Sequence, residues 1–346
     1  MKLTLSPISF TFIKPIVAAY GRIAERRGIR VVLEASGIEG RGEAMPLPEF
    51  GTESLDECQR ALAGFSFERL PASLAQVDPL LESLKATPGA RSAAEGAFLE
   101  YLSRTLKTPI AQLLGGAKAQ SIRVNALIDG DNAAGLAAAA SAAVEAGFTT
   151  LKIKVGARPL GIDAQRLAAV RAAVGPTVRL RIDANGGWTE STARAALRGL
   201  EALHLELCEQ PVVARDVESM RRIRLAVPCI IAADEALLLD DAPTQVLNVY
   251  PVPAAQVLVL KPMILGGVLP ALALAKRANQ VAVDCYVTTS LDGPIARAAA
   301  AMLASVVSGP YAHGVSTLEL FEGVRADRFT PVRGAIRAFD ELGWGV

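Results

Sequence analysis

The chain begins with two stretches in which apolar and polar residues alternate, a pattern that predicts half-buried β-strands. They are KLTLSPISFTF and GIRVVLEASGIEGRGEAMP, with Gly and Pro between the runs. Three stretches with helical spacing follow: ESLDECQRALAG, which opens after a Thr/Ser capping region at 52–54, then PASLAQVDPLLESLKA and GARSAAEGAFLEYLSRTLK. A few strands followed by a few helices predict an α+β domain over residues 1–118.

From residue 119 the pattern changes to short apolar runs separated by amphipathic helical segments. Eight runs are present: SIRVNALID, TTLKIKVG, VRLRIDAN, LHLELCEQ, CIIAADEA, AQVLVLKP, VDCYVTTS and GVSTLELF. No glycine-rich phosphate-binding turn follows the first run, so a barrel is favoured over an open sheet. The predicted fold class is therefore α/β, a modified TIM (β/α) barrel at 119–321 with an N-terminal α+β capping domain. The tail at 322–346 contains no further barrel unit, and we expect it to pack on the capping domain.

Four charged residues end successive predicted strands at nearly constant intervals. Asp183, Glu209, Asp234 and Lys261 follow one another after 26, 25 and 27 residues, and one strand–helix unit of a barrel takes roughly 25 to 30 residues. They should therefore lie at the same height, at the C-terminal strand ends where barrel enzymes carry their active sites. Three carboxylates without a His or Cys partner favour Mg²⁺, with Mn²⁺ as an alternative ion.

Two lysines of the run LKIKVG point the same way. Lys152 and Lys154 are two residues apart, so both side chains lie on one face of a strand. Ile153 suits the outer face, which packs on helices, and this places both lysines inside the barrel. By the same alternation Asn185 shares the inner face with Asp183. Buried lysines require nearby carboxylates, so the lysines and the carboxylates are expected to meet.

Lys261 ends the run VLVLKP and is expected across the barrel mouth from Lys154. Neighbouring positive charge and partial burial disfavour its charged form, so a lowered pKa and a role as a base are predicted. The alternative is a structural salt bridge with Asp234 or Glu209. Lysines beside a cation site are suited to removing a proton α to a carboxylate.

Composition excludes several other classes of protein. The chain has 346 residues, 51% of them hydrophobic, with a mean hydropathy of +0.32, which is enough for a large buried core. A net charge of +1 gives no reason to expect nucleic acid as a partner, and no long uncharged apolar run predicts a membrane span. The four cysteines form no C-x-x-C motif, and two histidines argue against a His-ligated zinc site. The N-terminal run lacks the features of a secretory signal, so a cytoplasmic location is expected.

The ordered motifs resemble the enolase superfamily, and within it the muconate-lactonizing subgroup. They are K-x-K at 152–154, D-x-N at 183–185, E-Q-P at 209–211, D-E at 234–235 and K-P at 261–262. GRGEAMPLPEFGTES is similar to the loop of the family's capping domain, and TPIAQLLGG to the segment that enters the barrel. The resemblance implies a lysine base, bound Mg²⁺ and a small-molecule carboxylate substrate. It leaves open whether the protein is a monomer or a homo-oligomer. A non-catalytic barrel would be expected to lose one of these positions, and none is lost.

Within the subgroup the chain is most similar to o-succinylbenzoate synthases, in its length and in GEAMPLPEFGTES and TTSLDGPIARAAAA. This implies Mg-dependent syn-dehydration of 2-succinyl-6-hydroxy-2,4-cyclohexadiene-1-carboxylate to 2-succinylbenzoate through an enediolate, in menaquinone biosynthesis. Lys154 would take the α-proton and then assist the loss of hydroxide. Lys261 would stabilise the enediolate, and Lys152 would support Lys154 or contact the carboxylate. N-acylamino acid racemases and muconate-type cycloisomerases are the alternative. T-L-E-L at 317–320, in place of D-x-D, argues against dipeptide epimerases.

Five residues are expected to contact the substrate. Asn185, Thr288 and Ser290 belong to the barrel, and Tyr20 and Phe50 to the capping domain. The last two lie in apolar segments, 12–26 and 42–54, which we expect to be loops that close over the barrel mouth and exclude water. Ordinary packing between the two domains is the alternative explanation for their apolar side chains.

Overall fold

The N-terminal part of the chain is an antiparallel sheet covered by helices. A computed structural model describes residues 2–18, 21–116, 121–130, 132–238, 241–337 and 340–346, and the expected domain boundary at 118–119 lies outside these ranges. The sheet has the order β1-β2-β3, formed by Lys2–Ala18, Gly21–Ala35 and Ile38–Ala44. The helices of this part are α1 (Leu55–Gly64), α2 (Val77–Leu80), α3 (Pro88–Leu106) and α4 (Ile110–Leu113).

Two local expectations for this part are corrected. In the segment 12–26, expected to be a loop, residues 12–18 and 21–26 belong to the antiparallel strands β1 and β2, in which Ile16 pairs with Ile23 after an irregularity that begins at Thr11. Apolar residues occur in both of these stretches, so cross-strand pairing extends the strands. The helix expected over 71–86 is reduced to α2 between two 3-10 turns. Pro79 explains this, because it has no N–H to continue a helix from the preceding turn.

The capping region at 52–54 behaves as predicted. Ser54 is the N-cap of α1: its Oγ accepts a hydrogen bond from the Glu57 N–H at 3.3 Å, and the Glu57 carboxylate accepts one from the Ser54 N–H at 2.8 Å. This reciprocal pair is a capping box, which satisfies two backbone donors at the start of the helix. The helix therefore begins where the sequence predicts.

In the described part of the chain, seven parallel strands form the barrel sheet in the order β11 to β5. They are β5 (Ala126–Ile128), β6 (Thr150–Lys154), β7 (Arg179–Asp183), β8 (Leu205–Glu209), β9 (Ile230–Ala233), β10 (Val257–Leu260) and β11 (Asp284–Val287). The helices are α5 (Ala133–Glu145), α6 (Leu160–Val174), α7 (Glu190–Gly199), α8 (Val217–Ala226), α9 (Ala242–Val246), α10 (Pro262–Leu265), α11 (Val268–Gln280) and α12 (Pro294–Ala304). No helix of the described residues is long and apolar enough to cross a membrane.

The prediction of an eighth strand at GVSTLELF is wrong, because this segment does not form a strand. Residues 318–320 form a 3-10 turn, and only Gly314 at the start of this region, with His313 before it, forms backbone bridges to the barrel strands. The His313 N–H donates to the Arg123 carbonyl at 2.8 Å, and the Gly314 N–H donates to the Val287 carbonyl at 2.8 Å. Gly314 permits this approach, because a Cβ there would lie 2.6 Å from Thr288 Oγ1. A two-residue segment therefore closes the barrel in place of a full strand.

The C-terminal tail contacts both parts of the molecule. The first predicted barrel run is split, and its beginning, β4 (Ile122–Arg123), pairs antiparallel with β12 (Ala335–Ile336) of the tail. Further on, the buried Trp344 donates its Nε1–H to the Arg41 carbonyl at 2.7 Å and its backbone N–H to Glu100 Oε1 at 3.2 Å. The tail thus connects the strand that enters the barrel with the capping sheet and α3.

Two buried glutamates join the capping part to the barrel. Glu43 of β3 accepts the N–H of Ile295 at 2.9 Å, in the first turn of α12. Glu95 of α3 accepts the N–H of Leu269 at 3.1 Å, in the first turn of α11. Helix N-termini carry partial positive charge and unpaired N–H groups, so they stabilise buried carboxylates. These two contacts fix the capping part against the helices that follow β10 and β11.

Alternation along the strands separates two cores, as predicted for a barrel. Ile153, Leu180 and Ile182 belong to the large core between strands and helices. The barrel interior holds a smaller core formed by Leu207, Ala232, Val257, Val259, Tyr286 and Tyr311. The inner core supports the charged side chains at the strand ends from below.

We expect His313 to make stability depend on pH. It is buried, its Nδ1 accepts the Val287 N–H at 3.0 Å, and burial together with the Arg181 charge lowers the pKa of His313 to about 3. The unfolded chain, with a histidine pKa of about 6.5, binds the extra proton first. The contribution of neutral His313 to the unfolding free energy is therefore fully present above a pH of about 6.5. This contribution is lost as the pH decreases toward 3. Between pH 6.5 and 5 the His313→Asn variant should lose about 2 kcal/mol less unfolding free energy than the wild type.

Denaturant unfolding at several pH values checks this prediction. The control is His204→Asn, because His204 is exposed and has a left-handed φ of 47° that Asn accepts. The control should keep the wild-type pH slope. An unchanged slope in His313→Asn would contradict the assignment of a neutral, buried imidazole.

Candidate active site

The charged residues predicted to meet do lie at one end of the barrel. Lys154 pairs in register with Asp183, and Asp183 with Glu209, at the carboxyl ends of β6, β7 and β8. Asp234 directly follows β9, and Lys261 directly follows β10. All five side chains are therefore at the same height, as the constant spacing of the sequence predicts.

Lys152 lies between two carboxylates. Its Nζ is 2.6 and 2.7 Å from the two Glu209 oxygens and 2.9 Å from Asp183 Oδ2. Burial alone would lower the pKa of Lys152, but Asp183 and Glu209 raise it well above its usual range. Lys152 is therefore a fixed positive charge, which suits binding better than proton transfer.

Lys154 has a different setting. Its Nζ donates to Asn185 Oδ1 at 2.6 Å and is 3.7 Å from Asp183 Oδ2. Burial and the charges of Lys152 and Lys261 lower the pKa of Lys154, and this outweighs the attraction of Asp183. A lysine with a lowered pKa can lose its proton near neutral pH and act as a base.

Lys261 corrects one expectation. Its Nζ donates to Asp234 Oδ2 and lies 4.4 Å from the centre of the Phe50 ring. Burial acts to lower the pKa of Lys261, but the Asp234 and Glu235 carboxylates raise it. The predicted lowering of the Lys261 pKa is therefore wrong, and the alternative, a salt bridge to Asp234, is present. Of these two lysines it is Lys154 that has the lowered pKa, and Lys261 is held charged.

The three predicted metal ligands are buried and only partly neutralised. Burial and nearby Asp183 raise the pKa of Glu209 to about 7, and burial raises the pKa of Asp234. Among the described residues no three Asp, Glu, His or Cys side chains are grouped to hold a metal ion, and lysine ammonium groups contact these carboxylates. The donor chemistry still fits Mg²⁺, because three buried carboxylates supply only hard oxygen ligands and need positive charge.

A cavity opens above these charges, with about 60 Å³ available to the centres of water molecules. Its apolar wall comprises Leu47, Phe50, Leu127 and Leu291; its neutral polar wall Asn125, Asn185, Thr288, Thr289, Ser290, Ser316 and Thr317; and its charged floor Lys152, Lys154, Asp183 and Lys261. Three ammonium groups and one carboxylate line the cavity directly. This balance suits an anionic ligand with an apolar body.

The predicted substrate contacts fall into three groups. Asn185 and Phe50 line the cavity beside the lysines. Thr288 and Ser290 also line it, but the Thr288 hydroxyl donates to the Gly314 carbonyl at 2.9 Å, and the Ser290 hydroxyl donates to the Asp292 carboxylate. Tyr20 lies outside the described residues. The two barrel hydroxyls thus have partners within the protein and can still accept a hydrogen bond from a ligand.

The sequence reasoning missed two side chains that hold the site in place. Tyr286 donates its hydroxyl to Glu209 Oε2 from inside the barrel. Gln210 Oε1 accepts the N–H of Asp234 at 3.0 Å and of Ala236 at 3.1 Å, and so fixes the turn that carries Asp234. Alternation could have found Tyr286, because it shares the inner face with Thr288 and a buried phenol needs a partner.

Comparison with known proteins agrees with the fold. Residues 135–346 match the family model Enolase C-terminal domain-like. The N-succinyl-L-Arg/Lys racemase of Bacillus cereus is 28% identical over 309 residues, 86% of this chain and 83% of that protein. The o-succinylbenzoate synthase of Thermobifida fusca is 39% identical over 220 residues, 62% of this chain and 66% of that protein. The substrate-liganded L-Ala-D/L-Glu epimerase from Bacillus subtilis superposes with a TM-score of 0.90 at 26% identity, covering 100% of this chain and 98% of that one.

The chain therefore belongs to the enolase superfamily, and it is an enzyme of that superfamily. Its relatives include isomerases as well as a lyase. Membership of the family thus defines the catalytic scaffold, whereas the reaction depends on the side chains of the site.

We expect Gln210→Ala to destabilise the fold. The substitution leaves the buried N–H groups of Asp234 and Ala236 without an acceptor, and each unsatisfied buried donor costs roughly 1–3 kcal/mol. The unfolding free energy should fall by about 3 kcal/mol in a denaturant titration. Gln280→Ala, at the exposed end of α11, is the control and should stay near the wild type. Equal stability of the two variants would show that Gln210 does not hold this turn.

Proposed function

We propose that the protein is an o-succinylbenzoate synthase, which dehydrates 2-succinyl-6-hydroxy-2,4-cyclohexadiene-1-carboxylate to 2-succinylbenzoate. The observation that carries this proposal is the unequal setting of two lysines. Lys154 contacts the amide of Asn185, lies 3.7 Å from Asp183 and has a lowered pKa, whereas Lys261 is paired directly with Asp234, has a raised pKa and is covered by the Phe50 ring. This inequality suits a dehydration with one base, whereas racemisation needs two lysines that both exchange protons.

The proposed chemistry uses Lys154 twice. Neutral Lys154 takes the proton from the ring carbon that bears the carboxylate, and the electron pair moves onto the carboxylate. The pair then returns to form the ring double bond as the C–O bond breaks. The departing hydroxide takes the proton back from the Lys154 ammonium and leaves as water, so that Lys154 is regenerated and the ring becomes aromatic. Lys261 remains protonated, and its charge stabilises the anionic intermediate.

Asp183, Glu209 and Asp234 are the residues that would hold Mg²⁺, and superfamily members bind this ion. When bound, Mg²⁺ supplies positive charge that stabilises the negative charge on the substrate carboxylate. Lys152, which contacts Asp183 and Glu209, would orient that carboxylate over the floor of the cavity. Leu47 and Phe50 of the capping part would exclude water from the reacting atoms.

The polar wall of the cavity supports a substrate without an amine. Ser316 and Thr317, after the closing segment of the barrel, present neutral hydroxyls to the cavity. The nearby Glu319 is exposed and accepts the Ser316 hydroxyl at 2.5 Å. An ammonium group would need a carboxylate facing it there, and Asp183 on the opposite floor is occupied by lysines. The 39% identity with the Thermobifida fusca enzyme points to the same reaction.

The alternative function is an N-acylamino acid racemase or a muconate-type cycloisomerase. One observation favours it: both Lys154 and Lys261 line the same cavity, so a proton could be exchanged from either side. The relative that covers 86% of this chain is a racemase that acts on N-succinyl amino acids. An anionic N-acyl group without an amine would also suit the polar wall.

We expect activity to depend on a divalent cation. EDTA treatment followed by gel filtration should remove turnover of the cyclohexadiene substrate, and Mg²⁺ or Mn²⁺ should restore it. Asp183→Ala should lose turnover at any Mg²⁺ concentration while it keeps the fold. Asp129→Ala, a change of an exposed aspartate, is the matched control. Full activity of the EDTA-treated protein would refute the assignment of the metal ligands.

We expect the two lysines to respond differently to substitution. Lys154→Ala should reduce dehydration by roughly 10²- to 10⁴-fold, the usual contribution of a general base. Lys261→Arg keeps the charge but changes its shape, so turnover should also fall severely. The exposed Lys276→Ala is the control for both variants.

Incubation in D₂O separates the two candidate functions. A one-base synthase given N-succinyl amino acids should exchange the α-proton of one enantiomer through Lys154 only. Exchange of both enantiomers, with one dependent on Lys154 and the other on Lys261, would favour the racemase. Unchanged dehydration by Lys154→Ala would contradict the proposed base.

A further inference from the structure

We propose that Tyr286, held in place by Arg181 beneath it, positions the Glu209 carboxylate for the cation. In this arrangement the tyrosine hydroxyl engages Oε2, and Oε1, which accepts from Lys152, is the oxygen that would remain for the cation. The inference rests on the proposed function, since it takes Glu209 as a metal ligand. It adds a positioning residue that neither the sequence motifs nor the strand spacing indicate.

Tyr286 reaches Glu209 from below. It lies in β11 in register with Val259 of β10, two residues before Thr288 and on the same inward face. Its side chain is fully buried, and its hydroxyl donates to Glu209 Oε2. The phenol ring thus lies one side-chain layer below the strand ends, and its hydroxyl is the atom that contacts the charged side chains.

The ring must cross the barrel to make this contact. β8, which carries Glu209, is separated from β11 by β9 and β10. Ala232 of β9 lies between them, in register with Glu209 on one side and with Val257 on the other. Ala232 and Tyr286 belong to the same inner core. A methyl group at position 232 leaves the space that the ring occupies, since barrel interiors are otherwise filled by side chains.

Arg181 fixes the ring from the other side. Its guanidinium carbon lies 4.6 Å from the centre of the Tyr286 ring and 5.6 Å from that of Tyr311. The guanidinium is itself held, because it donates to the Ala312 carbonyl at 2.7 Å and to the Glu206 carboxylate at 2.5 Å. A cation over an aromatic face is attractive when it is desolvated, and Arg181 is fully buried. The phenol therefore has little freedom to move away from Glu209.

The two oxygens of the Glu209 carboxylate therefore differ, because one of them is held by an additional donor. Glu209 Oε2 has Tyr286 and Lys152 as donors, whereas Oε1 has Lys152 at 2.6 Å. Rotation of the carboxylate would break the tyrosine hydrogen bond inside a buried core, which is costly. Groups that orient a metal ligand in this way typically change metal affinity by about 10- to 100-fold when they are removed.

The test measures metal binding directly and needs no substrate. Tyr286→Phe removes the hydroxyl and keeps the ring, and Tyr311→Phe is the matched control, because it removes a hydroxyl on the far side of the same arginine. Metal-stripped proteins are titrated with Mn²⁺, followed by electron paramagnetic resonance, and with Mg²⁺ by calorimetry. We expect the dissociation constants of Tyr286→Phe to rise about 10-fold, with an altered Mn²⁺ spectrum and a cooperative thermal unfolding transition without metal that shows the variant to be folded. Tyr311→Phe should match the wild type.

Each other outcome has a definite meaning. If Tyr286→Phe binds Mn²⁺ with wild-type affinity and spectrum, the positioning role is refuted while the proposed function stands. If the wild-type protein binds neither ion, the metal site of the proposed function fails, and the inference fails with it. Tyr286→Met, which also lacks the hydroxyl, serves as a second variant should Phe disturb the fold, and the same weakening is required of it.

Discussion

The structure depends on burying opposite charges together at one end of a barrel. An isolated ion in the protein interior is strongly destabilising, and only close partners with good geometry offset the loss of water. Lys152 between Glu209 and Asp183, and Lys261 against Asp234, are such partners. The barrel supplies the necessary spacing, because parallel strands in register bring their last residues to one height. Every other feature of the site either completes this neutralisation or covers it.

The capping part is attached to the barrel in the same way, by buried charges that contact groups of opposite charge. Glu43 and Glu95 reach from the capping part to the first turns of α12 and α11. Those helices follow the strands that lead to Thr288 and Lys261, so the capping part is anchored close to the reacting groups. Met45 donates its N–H to Met263 Sδ at 3.2 Å, and this sets the segment with Leu47 and Phe50 against the turn after Lys261. A shift of the capping part would therefore move the ring that covers the Lys261 ammonium.

The amino-acid sequence predicts the parts of this architecture that repeat. The interval between Asp183, Glu209 and Asp234 follows from the strand–helix unit, and the inward face of Lys152 and Lys154 follows from the period of two. Features set by contacts distant in sequence could not be predicted in this way. The pKa of Lys261 depends on its contact with Asp234, and the role of Tyr286 depends on the small side chain of Ala232 two strands away. The eighth strand failed because its apolar run resembles the other seven, although only His313 and Gly314 form backbone bridges to the barrel strands.

The short closing segment has a consequence for how this enzyme could diversify. Most strands of the barrel are tied to two neighbours along several residues, so an insertion in one of them would disturb the register of the rest. After Gly314 the chain leaves the sheet, yet Ser316 and Thr317 still face the cavity. Substitution of Ser316 and Thr317 can therefore remodel the cavity wall, while the neighbouring Val315 and Leu318 remain packed in hydrophobic cores. We therefore expect positions 316 and 317 to change when the enzyme evolves to bind a new ligand.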